Sequence, residues 1–133
     1  MSLTDRYGLP VTAASRAAVD AYDRGARALL GFGADTIGAF QEALAHDPDF
    51  ALARAGLAVS LYLDEKIPEG RAAMDAAASA APALPERERR HIEALALWVG
   101  GRGNEAVDVI TVILAEHPRD VVLLQRLYFI QFW

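Results

Sequence analysis

The chain has 133 residues and a formal charge of −5, from 13 Lys and Arg against 18 Asp and Glu. It contains no cysteine, which excludes a disulfide scaffold, a thiolate zinc site, an iron–sulfur cluster and a cysteine nucleophile together. The acidic balance argues against nucleic acid and anionic membrane as partners, because phosphate binding needs a basic footprint.

This length predicts one domain with a real core. Apolar residues make up 53% of it, and 27 of them are alanine, the best helix former, so the expected class is all-α. The first residues, Met1 to Tyr7, lack a cationic stretch followed by an apolar one, so no secretory signal is read there and a cytoplasmic setting is expected. Apolar runs are far shorter than the ~20 residues that span a bilayer, so no membrane partner is expected. Lys66 is the only lysine beside 12 arginines, which together with the alanine load hints at a GC-rich bacterial gene.

Residues 1–14 read as an N-terminal extension. A first helix is predicted over about 15–30, with Ser15 and Thr12 as capping residues and Gly31 and Gly33 as its stop. On it Asp20, Asp23, Arg24 and Arg27 read as a solvated face. Next comes a proline period. Pro48, Pro82 and Pro118 lie 34 and 36 residues apart, each after a helical stretch. Twelve residues before each proline stands a small residue (Thr36, Gly70, Ala106), and eight before it a large apolar one (Phe40, Met74, Ile110). Five before it come Ala43, Ala77 and Ile113. These offsets fall on one helical face, so 36–48, 70–82 and 106–118 are predicted amphipathic helices stopped by proline.

Each is preceded by another helix. Residues 50–64 and 85–99 match at an offset of 36: Ala58 to Ala94, Leu61 to Leu97, Tyr62 to Trp98. Gly25 is the expected counterpart of Ala58 and Ala94 in the first copy. Glu86 and Glu88 suit a helix N-terminus, and Gly100, Gly101 and Gly103 mark a stop. Residues 121–133 are predicted as a last, heavily apolar helix with Asp120 as N-cap. The units are therefore 15–48, 49–82 and 83–118, with 119–133 the first helix of an incomplete fourth. Small residues where paired helices cross, large apolar ones on the seam and proline after the second helix make the tetratricopeptide repeat pattern. The expected fold is a right-handed α-solenoid of antiparallel helix pairs.

The segment Asp5-Arg6-Tyr7-Gly8-Leu9-Pro10-Val11-Thr12 resembles the opening of tetratricopeptide repeat protein 38-like proteins. So do 43–53, 87–95 and 103–120, in the same order along nearly the whole chain. The resemblance implies an α-solenoid corresponding to the N-terminal third of such proteins, and it supplies no catalytic residue. The lysine and asparagine clamp of chaperone-binding repeat domains cannot be built from one lysine, Lys66, and one asparagine, Asn104.

No catalytic, cofactor or metal constellation stands out. His46 and His117 fall in the last turns of equivalent helices, where an imidazole suits the dipole. His91, with Arg87 and Arg90 nearby, falls on a predicted concave face together with Tyr62 and Trp98, which form the candidate binding surface. The run Glu86-Arg87-Glu88-Arg89-Arg90 reads as a salt-bridged, solvated helix start. The expected function is a non-enzymatic scaffold binding a protein or peptide. One alternative is self-assembly, as a homodimer through the uncovered last helix with Tyr128, Phe129, Phe132 and Trp133. Another is the N-terminal part of an enzyme whose active site lies elsewhere.

Overall fold

The computed structural model describes residues 3–32 and 35–132, the side chains of Phe32 and Phe132 apart. It opens on a short antiparallel hairpin, β1 (Leu3–Thr4) and β2 (Pro10–Val11), with Leu3 opposite Val11. The Asp5 carboxylate closes the turn, accepting from the Tyr7 and Leu9 backbone N–H groups at 2.8 and 3.0 Å, and Gly8 takes φ 86°. The expected extension thus has a structure of its own.

Seven α-helices follow among the described residues: α1 (Arg16–Arg27), α2 (Thr36–His46), α3 (Ala51–Leu63), α4 (Ile67–Ala80), α5 (Glu86–Val99), α6 (Gly103–Glu116) and α7 (Val121–Phe132). The all-α expectation holds. Ser15 caps α1, its side chain accepting from the Ala18 N–H, and Asp35 caps α2 in the same way through Gly38. After α1 the chain loosens into a π-type turn over Ala28–Phe32, ending as Gly31 takes φ 95°. Gly33, the second expected stop, lies outside the described residues.

The connections repeat. Helix α3 ends with Lys66 N–H donating to Leu61 C=O at 2.9 Å, and α5 ends with Arg102 N–H donating to Leu97 C=O at 2.8 Å. Both turns pass through a left-handed residue at the same place, Glu65 (φ 63°) and Gly101 (φ 82°). The turns at Pro48 and Pro118 match as well: Phe50 N–H donates to Asp47 C=O and Asp120 N–H to His117 C=O, each at 3.1 Å.

Short connections fold each helix back on its predecessor, so α1 packs on α2, α3 on α4 and α5 on α6, and these pairs meet in series through α2–α3, α4–α5 and α6–α7. The odd-numbered helices also touch one another, α1 with α3 and α3 with α5. The residues eight and five before each proline all face inward: Phe40, Ala43, Ala77, Ile110 and Ile113 are 0% exposed and Met74 is 3% exposed. Burying a side chain the size of Phe40 or Ile110 stabilises the fold by roughly 1.5–3 kcal/mol. Phe40 of α2 is lodged against two glycines, one on α1 and one on α3. A Cβ on Gly25 or Gly56 would lie 2.7 or 2.5 Å from its ring. Gly70 similarly lets α4 approach the α3 backbone at Tyr62 and Ala58.

Candidate functional site

The odd-numbered helices carry two polar or aromatic clusters, one at each end. At their N-terminal ends the hub is Asp120, the residue before α7, whose side chain is 3% exposed. Its Oδ2 accepts from Arg87 Nη1 at 3.0 Å and pairs with His91 Nδ1 at 2.7 Å, while its Oδ1 accepts weakly from Leu123 N–H at 3.4 Å. Burial alone would raise the Asp120 carboxyl, but the charge and hydrogen bond of His91, the Arg87 guanidinium and the Leu123 N–H together hold it below its ordinary value. Arg87 and His91 stand one turn apart on α5, so both reach the same carboxylate. Tyr22 of α1 is buried near this group, and that burial pushes its hydroxyl far up.

The N-terminal segment lies across this end. Glu88, 2% exposed, accepts from the Thr12 N–H at 2.6 Å and from Thr12 Oγ1 at 2.7 Å. Arg87 Nη2 donates to the Pro10 carbonyl at 2.7 Å, and Asp47 Oδ2 accepts from the Ala14 N–H at 2.8 Å. A crevice too small for an organic ligand lies between Tyr7, Tyr22, Arg87 and Asp120.

At the C-terminal ends the arrangement is open. Tyr62 and Trp98, the equivalent residues of α3 and α5, are half-buried and meet edge to face with centroids 5.1 Å apart. The Arg126 guanidinium of α7 sits 5.3 Å from the Trp98 ring and 5.0 Å from the Phe129 ring. Arg126 is 1% exposed, its Nε donates to Gln125 Oε1, and its Nη1 has no hydrogen-bond partner among the described residues. Burial pulls its pKa down to about 10, so the charge survives at neutral pH. The neighbouring Gln125 Nε2 donates to the Leu29 carbonyl, tying α7 to the turn after α1. Beside Leu29 a cleft of about 400 Å³ opens between Ile37, Ser60 and Leu63, with Asp35 and Asp64 at its walls.

Tyr62 and Trp98 are therefore brought together as a surface pair. His91 is not part of it: it is 2% exposed and committed to Asp120. The charged run on α5 is also corrected. Arg90 pairs with Glu86 on the surface, but Arg87 and Glu88 are buried. Thr12 does not cap α1; it serves Glu88. Of the residues expected in self-association, Tyr128 is 66% and Phe129 38% exposed. The Phe132 side chain and Trp133 lie outside the described residues. Arg126 was missed altogether, since an arginine in an apolar helix gives no local sign of which way it points. Among the described residues no three acidic or histidine side chains group as metal ligands, and no helix is long and apolar enough to cross a membrane. No protein-family model matches this chain, and no curated protein or solved structure does.

Proposed function

We propose that the chain is a right-handed α-solenoid of tetratricopeptide type that serves as a non-enzymatic, cytoplasmic scaffold for a protein or peptide. The solenoid reading is supported by two turn geometries that each recur at equivalent positions, Glu65 with Gly101 and Asp47 with His117, and by helix pairs that meet in series. A single observation carries the binding reading. Tyr62 and Trp98 meet edge to face at the open end with Arg126 over the indole, and half-buried aromatic residues beside a guanidinium are the residue types that anchor interfaces.

The test is selection of a random-peptide display library on the immobilised full chain. Peptides retained by the wild type are expected to lose about tenfold or more in affinity on Tyr62→Leu and Trp98→Leu chains whose helical circular dichroism is unchanged. Failure to retain any peptide, or equal affinity for all three chains, contradicts the reading. Self-association through α7 is the second reading, favoured by the exposure of Leu124 (50%) and Tyr128 (66%) on one helix. Light scattering that gives a monomer at high concentration removes it.

A further inference from the structure

The N-terminal segment rests on the helices as a bound peptide rests on a receptor. Its main chain is held at alternate residues: the Pro10 carbonyl by Arg87, the Thr12 N–H by Glu88 and the Ala14 N–H by Asp47. Positions two apart share one edge of an extended chain, so three side chains read a single backbone edge. Leu9, just before the first held group, and Val11, between the first two, are buried at 8% and 5% exposure. Only one side chain of the segment is recognised through a hydrogen bond at this edge, the Thr12 hydroxyl on Glu88. The gripping groups are set in place from behind, since Asp120 holds Arg87 at 3.0 Å and the Asp49 N–H donates to Asp47 at 3.1 Å. Both oxygens of the buried Glu88 are spent on the segment, so the carboxylate has a ready use for an extended chain and for a hydroxyl. None of these contacts requires that the segment be joined to α1.

We propose that Asp47, Arg87 and Glu88 form an extended-peptide clamp, filled in cis by residues 9–14, which takes a partner's extended apolar–Pro–apolar–Thr segment once that strap is displaced. The proposal goes beyond the binding reading above, because it concerns the opposite end of the helices and a different ligand chemistry. The tethered strap competes at a high effective concentration, so a free peptide gains the clamp only when the strap's own grip is weakened. Proline is accepted where the carbonyl is used, at position 10. At position 12 it removes the donated N–H.

The test uses the full chain carrying Thr12→Pro, which loses the strap's N–H and hydroxyl and leaves the clamp side chains untouched. A fluorescent peptide of residues 3–14 is followed by anisotropy, with the same peptide carrying Thr12→Pro as control. The T12P chain is expected to bind the unaltered peptide about tenfold or more tighter than the wild-type chain does. It should ignore the control peptide, and adding Glu88→Gln should weaken binding by about tenfold again. A folded T12P chain that binds no better than wild type, takes both peptides equally, or fills the clamp by dimerising overturns the proposal. If T12P does not fold, the Leu9→Ala/Val11→Ala chain replaces it, with the same two results on either side.

Discussion

Removing the carboxylate at Asp120 probes the inner polar cluster most severely. In Asp120→Ala, Arg87 keeps only the Pro10 carbonyl at 9% exposure, and His91 at 2% exposure loses its partner at 2.7 Å. Deleting one member of a buried ion pair costs about 3–5 kcal/mol, because the remaining charge stays desolvated. The lost cap adds only about 0.5 kcal/mol, since the Leu123 contact is long at 3.4 Å. A total near 4 kcal/mol is a large share of the roughly 5–15 kcal/mol that holds a domain together. With an unfolding entropy of about 2.1 cal/mol/K per residue, it lowers the melting temperature by roughly 10–15 °C. Urea denaturation followed by circular dichroism reads the same loss as a midpoint shift of about 2 M, taking an m-value near 2 kcal/mol/M. Asp120→Asn keeps the size and the cap and should lose about half as much. If both variants lie within about 1 kcal/mol of wild type, the cluster contributes no stability and the reasoning is refuted.

The remaining predictions concern acid, a turn and a packing contact. The Asp120 carboxyl is held low in the folded chain, so its stabilisation is present above the unfolded value near 3.9 and is lost as pH falls through the folded one. Melting curves from pH 5 downward should therefore fall less steeply for Asp120→Asn than for wild type. Glu65 stands exposed in a left-handed conformation at φ 63°, so Glu65→Gly should raise stability by about 0.5–1 kcal/mol and melting by ~3 °C. Gly56→Ala places a Cβ 2.5 Å from the buried Phe40 ring, which also lies against Gly25. Overpacking of about 1–3 kcal/mol should outweigh the helix-propensity gain of about 1 kcal/mol, and Phe40→Leu in the same chain should recover part of the loss in thermal melts.

What the sequence made legible was local and periodic. The proline spacing put Phe40, Met74 and Ile110 on the buried seam, capping chemistry put Ser15 and Asp120 at helix starts, and the repeat offset put Tyr62 and Trp98 at equivalent positions of one surface. The polar cluster rests instead on pairs 29 to 77 residues apart, His91 with Asp120 and Arg87 with Pro10. No periodic pattern reports such pairs. Arg87 and Glu88 sit among alternating charges, and in one dimension a buried member of that run looks like its solvated neighbours. The strap left a faint sign, a turn residue at Gly8 followed by alternating Leu9, Pro10 and Val11, which has strand period but is too short to be read alone.

The binding reading is tested most directly by the emission of Trp98, since the chain has only two tryptophans. In a Trp133→Phe chain Trp98 is the single reporter, and it is titrated with a peptide selected on the wild-type protein. A saturable change in Trp98 emission, abolished by Tyr62→Leu, is the predicted result. Binding that leaves Trp98 emission unchanged contradicts the account.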